Sequence, residues 1–116
     1  MVIDFNSIET TANPHFKGGE GEVLIQTAVA DGKVKLMRIT IPVGASIGLH
    51  PHYGNSEEIL VLQGKGHFMT DGIREDICAG QAHYCEEGET HGFVNDGDVP
   101  VVFFAVVPDR SQALSK

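Results

Sequence analysis

An all-β fold, a sandwich or a barrel, is what this 116-residue sequence predicts, and three observations predict it. No stretch keeps the apolar period of an amphipathic helix. Fourteen glycines and five prolines instead break the chain into short apolar runs. Two of those breaks, Asp31-Gly32 and Asp71-Gly72, are hairpin dipeptides set between strand-like runs.

Taken in order, Val23–Ala30 and Lys33–Ile41 form the first predicted pair, joined through Asp31-Gly32. Ile59–Gln63 is the next strand, stopped by Gly64-Lys65-Gly66. His67–Thr70 and Arg74–Ile77 flank Asp71-Gly72, Gln81–Cys85 follows Gly80, and Gly92–Asn95 and Val101–Val107 complete the set. Turns at this regular spacing belong to sandwiches and barrels. The first twenty and last eight residues are weakly patterned and are expected at the periphery. The length is near that of a typical domain, so residues 1–116 are expected to be one domain. A chain of this size buries roughly 65% of its unfolded surface, enough for a core without staples.

Eight Lys and Arg against sixteen Asp and Glu leave a net charge of −8. That balance argues against nucleic acid or an anionic membrane as partner, since both need a basic face. It leaves a small-molecule ligand open. Two cysteines, Cys78 and Cys85, are too few for a disulfide framework and suit a reducing compartment. The opening MVIDFNSIET holds an early acid and no apolar core, so no signal peptide is expected, and no apolar run is long enough to span a bilayer. The expected location is the cytoplasm.

The stretch GLHPHYGNSEEILVLQG, from Gly48 to Gly64, is the most informative. On a strand, His50 and His52 share a face, so two imidazoles can take adjacent positions around one metal ion. Pro51 between them has no backbone donor and suits an edge or irregular strand. Tyr53–Ser56 lets the chain re-enter a strand at Glu57, a possible oxygen ligand. Alternation then puts Glu57, Ile59 and Val61 on one face and Glu58, Leu60 and Leu62 on the other, so only one of the two glutamates can face the histidines. A later stretch, GQAHYCEEGETHGFVN, presents His91 after a turn at Gly88.

Together these stretches resemble the cupin family. Its first motif, G-x5-H-x-H-x(3,4)-E-x6-G, is matched by Gly44, His50, His52, Glu57 and Gly64 (residues 44–64). Its second, G-x5-P-x-G-x2-H-x3-N, is matched by Gly80, Gly88, His91 and Asn95 (residues 80–95). Glu86 stands in the usual proline position, a departure that threatens the turn before His91 but removes no ligand. The resemblance implies a single-domain jelly-roll β-barrel with one divalent transition metal in its mouth, held by His50, His52, Glu57 and His91. Such a set leaves open positions on an octahedral ion and suits iron, nickel or zinc, with the carboxylate also admitting manganese.

Around that site, alternation places His83 and Cys85 on one face and Tyr84 on the other. His83 or Tyr84 is a candidate catalytic acid or base, with pocket lining or exposure the ordinary alternative for His83. Cys85 reads as a packed thiol. Arg38 shares a face with Leu36 and Thr40. Pointing inward it would clamp a substrate carboxylate; otherwise it serves a rim or an interface salt bridge. Glu86, Glu87 and Glu89 read as a solvated acidic loop. Leu60 and Leu62, outward if Ile59 and Val61 line the barrel, call for cover by a second subunit or the N-terminal segment, and small cupins commonly dimerise through such a sheet. A homodimer is therefore expected.

The resemblance implies a dioxygenase, decarboxylase, isomerase or lyase acting on a small organic molecule, with the metal as Lewis acid. Some cupin lyases use a tyrosine two residues after the ligand glutamate. Here Ile59 occupies that place, which leaves it a substrate-contact role. Oxalate-type chemistry wants a mobile acidic lid, and no segment stands out as one. The competing expectation is a non-catalytic module that binds a small ligand or metal; a purely structural role is disfavoured by the four ligands. No helix-turn-helix pattern suggests a DNA-bound regulator.

Overall fold

A computed structural model describes residues 1–111. Ten strands run in chain order: β1 Thr11–Pro14, β2 Glu22–Ala30, β3 Val34–Ile41, β4 Ser46–Pro51, β5 Glu57–Gln63, β6 Lys65–Thr70, β7 Ile73–Cys78, β8 Ala82–Cys85, β9 Thr90–Val94 and β10 Val101–Pro108. They form a six-stranded sheet ordered β1-β2-β3-β10-β5-β8 and a four-stranded sheet ordered β4-β9-β6-β7. This is the all-β fold that the turn spacing predicts and the jelly-roll barrel that the resemblance implies.

Local chemistry sets the hairpins. Asp71 and Gly72 both take positive φ (48° and 82°), the twist-matched two-residue turn that pairs Thr70 with Ile73. Asp31 instead accepts hydrogen bonds from the backbone N–H of Lys33 and Val34, which delays the start of β3 to Val34. Alternate residues of the two sheets face each other to make the core. Phe68, Phe93 and Phe103 fill its centre, with Ile39, Ile41, Val61 and Val101 around them. The inward set of β5 is Glu57, Ile59 and Val61, as alternation requires.

Two expectations are corrected. The edge, irregular strand expected around Pro51 is Ser46–Pro51, at the edge of the four-stranded sheet, its pairing with β9 shifting register between Ile47 and His50, but it begins ahead of the histidines, at Ser46, and stops before His52. Pro51 ends it, so His52 lies just beyond the strand. The first twenty residues are also less peripheral than their weak pattern suggests. β1 pairs with β2, and a 3-10 turn at Phe16–Gly18 lies against β4, with Phe16 packed on the core. Gly19 and Gly48 make that approach possible, because a Cβ on either would collide with the backbone of Ser46 or Lys17. Of the last eight residues, Asp109 bridges to Asn55, while 112–116 lie outside the described residues. No helix among the described residues is long and apolar enough to cross a membrane.

Candidate metal centre

Both sheets contribute to one cluster. His50 and His91 stand opposite each other on β4 and β9. His52 follows β4, and Glu57 opens β5 in the other sheet. The crossing segment is tied to the end of β10: the Arg110 N–H donates to the Gly54 carbonyl at 2.8 Å. One donor atom from each of His50, His52, Glu57 and His91 lies within 4.8 Å of all the others.

Three of the donors nearly touch. His52 Nε2 is 3.1 Å from His91 Nε2, and Glu57 Oε1 is 3.2 Å from the first and 3.0 Å from the second. Donor bonds of about 2.1 Å put adjacent donors of an octahedral ion about 3.0 Å apart, the bond length times √2. Lone pairs packed this closely repel unless a proton or a cation sits between them. The outward ring nitrogens are engaged as well. His50 Nδ1 is 2.8 Å from the Gly48 carbonyl, His52 Nδ1 is 2.6 Å from Asn55 Oδ1, and His91 Nδ1 is 3.0 Å from His83 Nε2. With Nδ1–H donating to those oxygens, His50 and His52 would turn Nε2 lone pairs to a bound cation; without one, His52 Nε2 carries the proton that meets Glu57. The donor set fits a divalent transition metal.

Electrostatics agree with a cationic occupant. Burial works to raise the Glu57 pKa, but hydrogen bonds from His52 and His91 outweigh it and hold the carboxyl at about 2. Burial also works to lower that of His52, and the hydrogen bonds to Glu57 and Asn55 reverse it to a net rise. His50 is lowered by burial. Glu57 is therefore an ionised carboxylate among imidazoles, ready to neutralise a cation.

The cluster lies on a cavity of about 170 Å³ whose other walls include Phe16, Lys17, Lys35, Ile59, Phe68 and Phe103. Ile59 is buried there, 3% exposed, on the wall where the sequence reading puts a substrate contact. His83 is buried too, but behind His91 rather than in the cavity. It stacks on Phe68 at 3.7 Å between ring centroids, and its Nδ1 is 3.2 Å from Glu75 Oε1. Burial and the charge of His91 lower its pKa.

Tyr84 and Arg38 stand away from the cavity. Alternation turns Tyr84 to the outside of β8, 52% exposed. Met37, Ile39 and Ile41 take the inner face of β3, so Arg38 faces outward, where it donates to Gln26 Oε1 at 2.8 Å and Asn6 Oδ1 at 3.2 Å. An inward carboxylate clamp is thus not what Arg38 forms. Cys85 is a packed thiol, pushed up to about 12, first by burial and then by nearby carboxylates such as Glu89.

Sequence reasoning missed Lys17, Lys35, Asn55 and Glu75. The close glycines Gly18, Gly19 and Gly21 were the available signal that the N-terminal segment passes tightly over other backbone. Glu86 in place of proline leaves the turn before His91 intact. The Gly88 N–H donates to the His52 carbonyl at 2.7 Å, the His52 N–H to the Glu89 carbonyl at 3.0 Å, and the Glu86 N–H to Glu89 Oε1 at 2.8 Å. Asn95 has a structural role, its Nδ2 donating to the Ile41 and Val99 carbonyls at 2.9 Å.

Known proteins are similar to this chain in sequence and fold. The chain is 33% identical over 112 residues to a Thermotoga maritima protein named "Oxalate-binding protein", spanning 92% of this chain and 93% of that one. Its fold superposes with a TM-score of 0.90 on the crystal structure of a predicted oxalate decarboxylase from Thermotoga maritima, at 31% identity over 94% of this chain and 99% of that one. The Schizosaccharomyces pombe Cnp3 cupin domain shares the fold alone, with a TM-score of 0.79 at 12% identity over 97% of this chain and 76% of that one. Residues 37–107, from β3 to β10 with the whole His/Glu cluster between, match the family described as Cupin domain, and the chain belongs to the cupin family.

Proposed function

We propose that the protein holds a small dicarboxylate of the oxalate class on a divalent transition metal (iron, manganese, nickel or zinc) ligated by His50, His52, Glu57 and His91. The observation that carries this reading is the near-octahedral donor spacing on a cavity whose walls also bear Lys17 and Lys35. A bound ion supplies a Lewis-acid centre with open positions for an anion's oxygens. Lys17 and Lys35 bring positive charge to a chain of net charge −8, and the Lys17 charge reaches His52, working against its protonation. Field lines concentrate in such a low-dielectric cleft, so local charge matters more than the global sum. The cavity is smaller than the roughly 300–1,000 Å³ of pockets for drug-sized ligands, which restricts the ligand to a few heavy atoms.

Binding is favoured over turnover by what else lines the cavity. Among the described lining residues beyond the four ligands, Lys17 and Lys35 are the titratable ones. The acidic Glu86–Glu89 turn is stitched to His52 rather than poised as a lid. The enzyme reading stays second, supported by the open coordination positions. In it a decarboxylase would convert oxalate and a proton to formate and carbon dioxide.

Isothermal titration of oxalate into manganese-loaded and metal-free protein tests both readings. The expected result is saturable binding to the loaded form, absent without metal and about tenfold weaker after Lys17→Ala, as for one charge-assisted contact. Equal binding without metal, or none with it, overturns the proposal. Formate accumulating in the same samples establishes the enzyme reading instead. The assembly is proposed to be a homodimer joined through the outer face of β5 and β8, where Leu60, Leu62 and Tyr84 are exposed.

A further inference from the structure

We infer that His83 and Glu75 form a positioning pair that fixes the tautomer of His91 and turns its Nε2 lone pair to the metal. The inference rests on the metal-site reading above. A neutral imidazole carries one N–H. If His91 Nε2 is to face the ion with a lone pair, its proton must sit on Nδ1 and find an acceptor. The atom in reach is His83 Nε2, at 3.0 Å. For that nitrogen to accept, the proton of His83 must in turn sit on Nδ1, and Glu75 Oε1 waits 3.2 Å from it. Each tautomer thus dictates the next, and the line ends on a half-exposed carboxylate that also accepts from Thr70 Oγ1 at 2.9 Å.

His50 and His52 reach an oxygen acceptor in one step, through Gly48 and Asn55. His91 reaches one through a second ring, and its place in the fold explains why. His91 and His83 are both buried between the sheets, 2% and 6% exposed, close to the carboxylate of Glu57. A carboxylate in place of His83 would bury a second negative charge beside Glu57. The neutral ring passes the polarisation from Glu75 inward while the charge itself stays at the surface. Stacking on Phe68, with 6° between the ring planes, holds His83 so that both nitrogens meet their partners.

The test is metal affinity by chelator competition, with unfolding curves to confirm that each variant is folded. His83→Phe keeps an aromatic ring against Phe68 and removes the acceptor, and should weaken zinc binding by roughly 10–100-fold. His83→Gln restores an acceptor oxygen near the Nε2 position and should recover most of that loss. Glu75→Gln keeps the shape and removes the charge, with an expected loss of about tenfold, the small end of outer-partner effects. Long-range ¹⁵N–¹H spectra of zinc-loaded wild-type protein should show His83 protonated on Nδ1, with its Nε2 bare and accepting from His91. Wild-type affinity in folded His83→Phe, or a proton on His83 Nε2, overturns the inference, and the spectra decide it even if His83→Phe does not fold. Glu57→Gln separates the two failures. If it too leaves zinc affinity unchanged, the four-residue site is wrong. If it abolishes binding while His83→Phe does not, only the positioning pair falls.

Discussion

Strands β5 and β8 carry two unlike faces on one stretch of paired backbone. Inward, Glu57, Ile59, His83 and Cys85 are 7%, 3%, 6% and 0% exposed, and each is held by packing or a named polar partner. Outward, Leu60, Leu62 and Tyr84 are 43%, 51% and 52% exposed. The inward set serves the core and the site, while the outward set touches neither. A single-residue slip in the β5–β8 register would exchange the two faces, so the inward set also fixes the strand pairing.

The comparison breaks most visibly in stability. Ile59→Ala removes atoms from a full core and should cost about 2–5 kcal/mol, whereas Leu60→Ala on the same strand should cost under about 1 kcal/mol. Denaturant midpoints at constant slope measure both. Similar losses at the two positions would show that the outer face is covered in solution as well.

Acid sharpens it further. The Glu57 carboxyl is lowered from its usual 4.5 to about 2, so the folded state binds its proton less readily than the unfolded chain. Its contribution, of the order of 3 kcal/mol, is fully present above pH 4.5 and is lost as the pH falls toward 2. Metal-free wild-type protein should therefore lose stability across that window by more than Glu57→Gln does. His50 and His83, both lowered, add stability that fades below their ordinary value near 6.5, while His52, raised, opposes them by losing its share as the pH rises. Parallel curves for wild-type and Glu57→Gln below pH 4.5 would mean that the carboxylate is not held by its imidazole neighbours.

How much of this was legible follows from the range of each interaction. The alternation of Glu57–Leu62 and the His50/His52/Glu57/His91 cluster could be read because period and motif spacing are local properties of the chain. The Asp-Gly turns were legible for the same reason. The bounds of β4 were not legible, because Gly48 and Pro51 interrupt it and its partner β9 lies some forty residues on. Arg38 and His83 were placed by strand parity without knowing which parity faces the cavity. For Arg38 the bulky Met37, Ile39 and Ile41 decide it; His83 does face inward, but His91 stands between it and the ligand space. Lys17, Asn55 and Glu75 reach the site only through tertiary contacts, which no spacing rule encodes.

The smallest effect concerns the outer face. The N-terminal turn at Phe5–Ser7 covers part of it: Phe5 packs edge-on to Phe104 at 5.9 Å, and Gln26 Nε2 donates to the Phe5 and Ile8 carbonyls at 2.7 and 2.8 Å. That cap stops short of Leu60, Leu62 and Tyr84, which continue the same sheet. An apolar strip beside a covered one is what a second copy would bury. Leu62→Ser should weaken self-association by about tenfold, the energy of one buried aliphatic side chain, without changing metal affinity. Sedimentation equilibrium of the wild type and the variant reads this directly. A wild-type mass of one chain at micromolar concentration would remove the dimer, leaving the inner face as the one whose side chains must be kept.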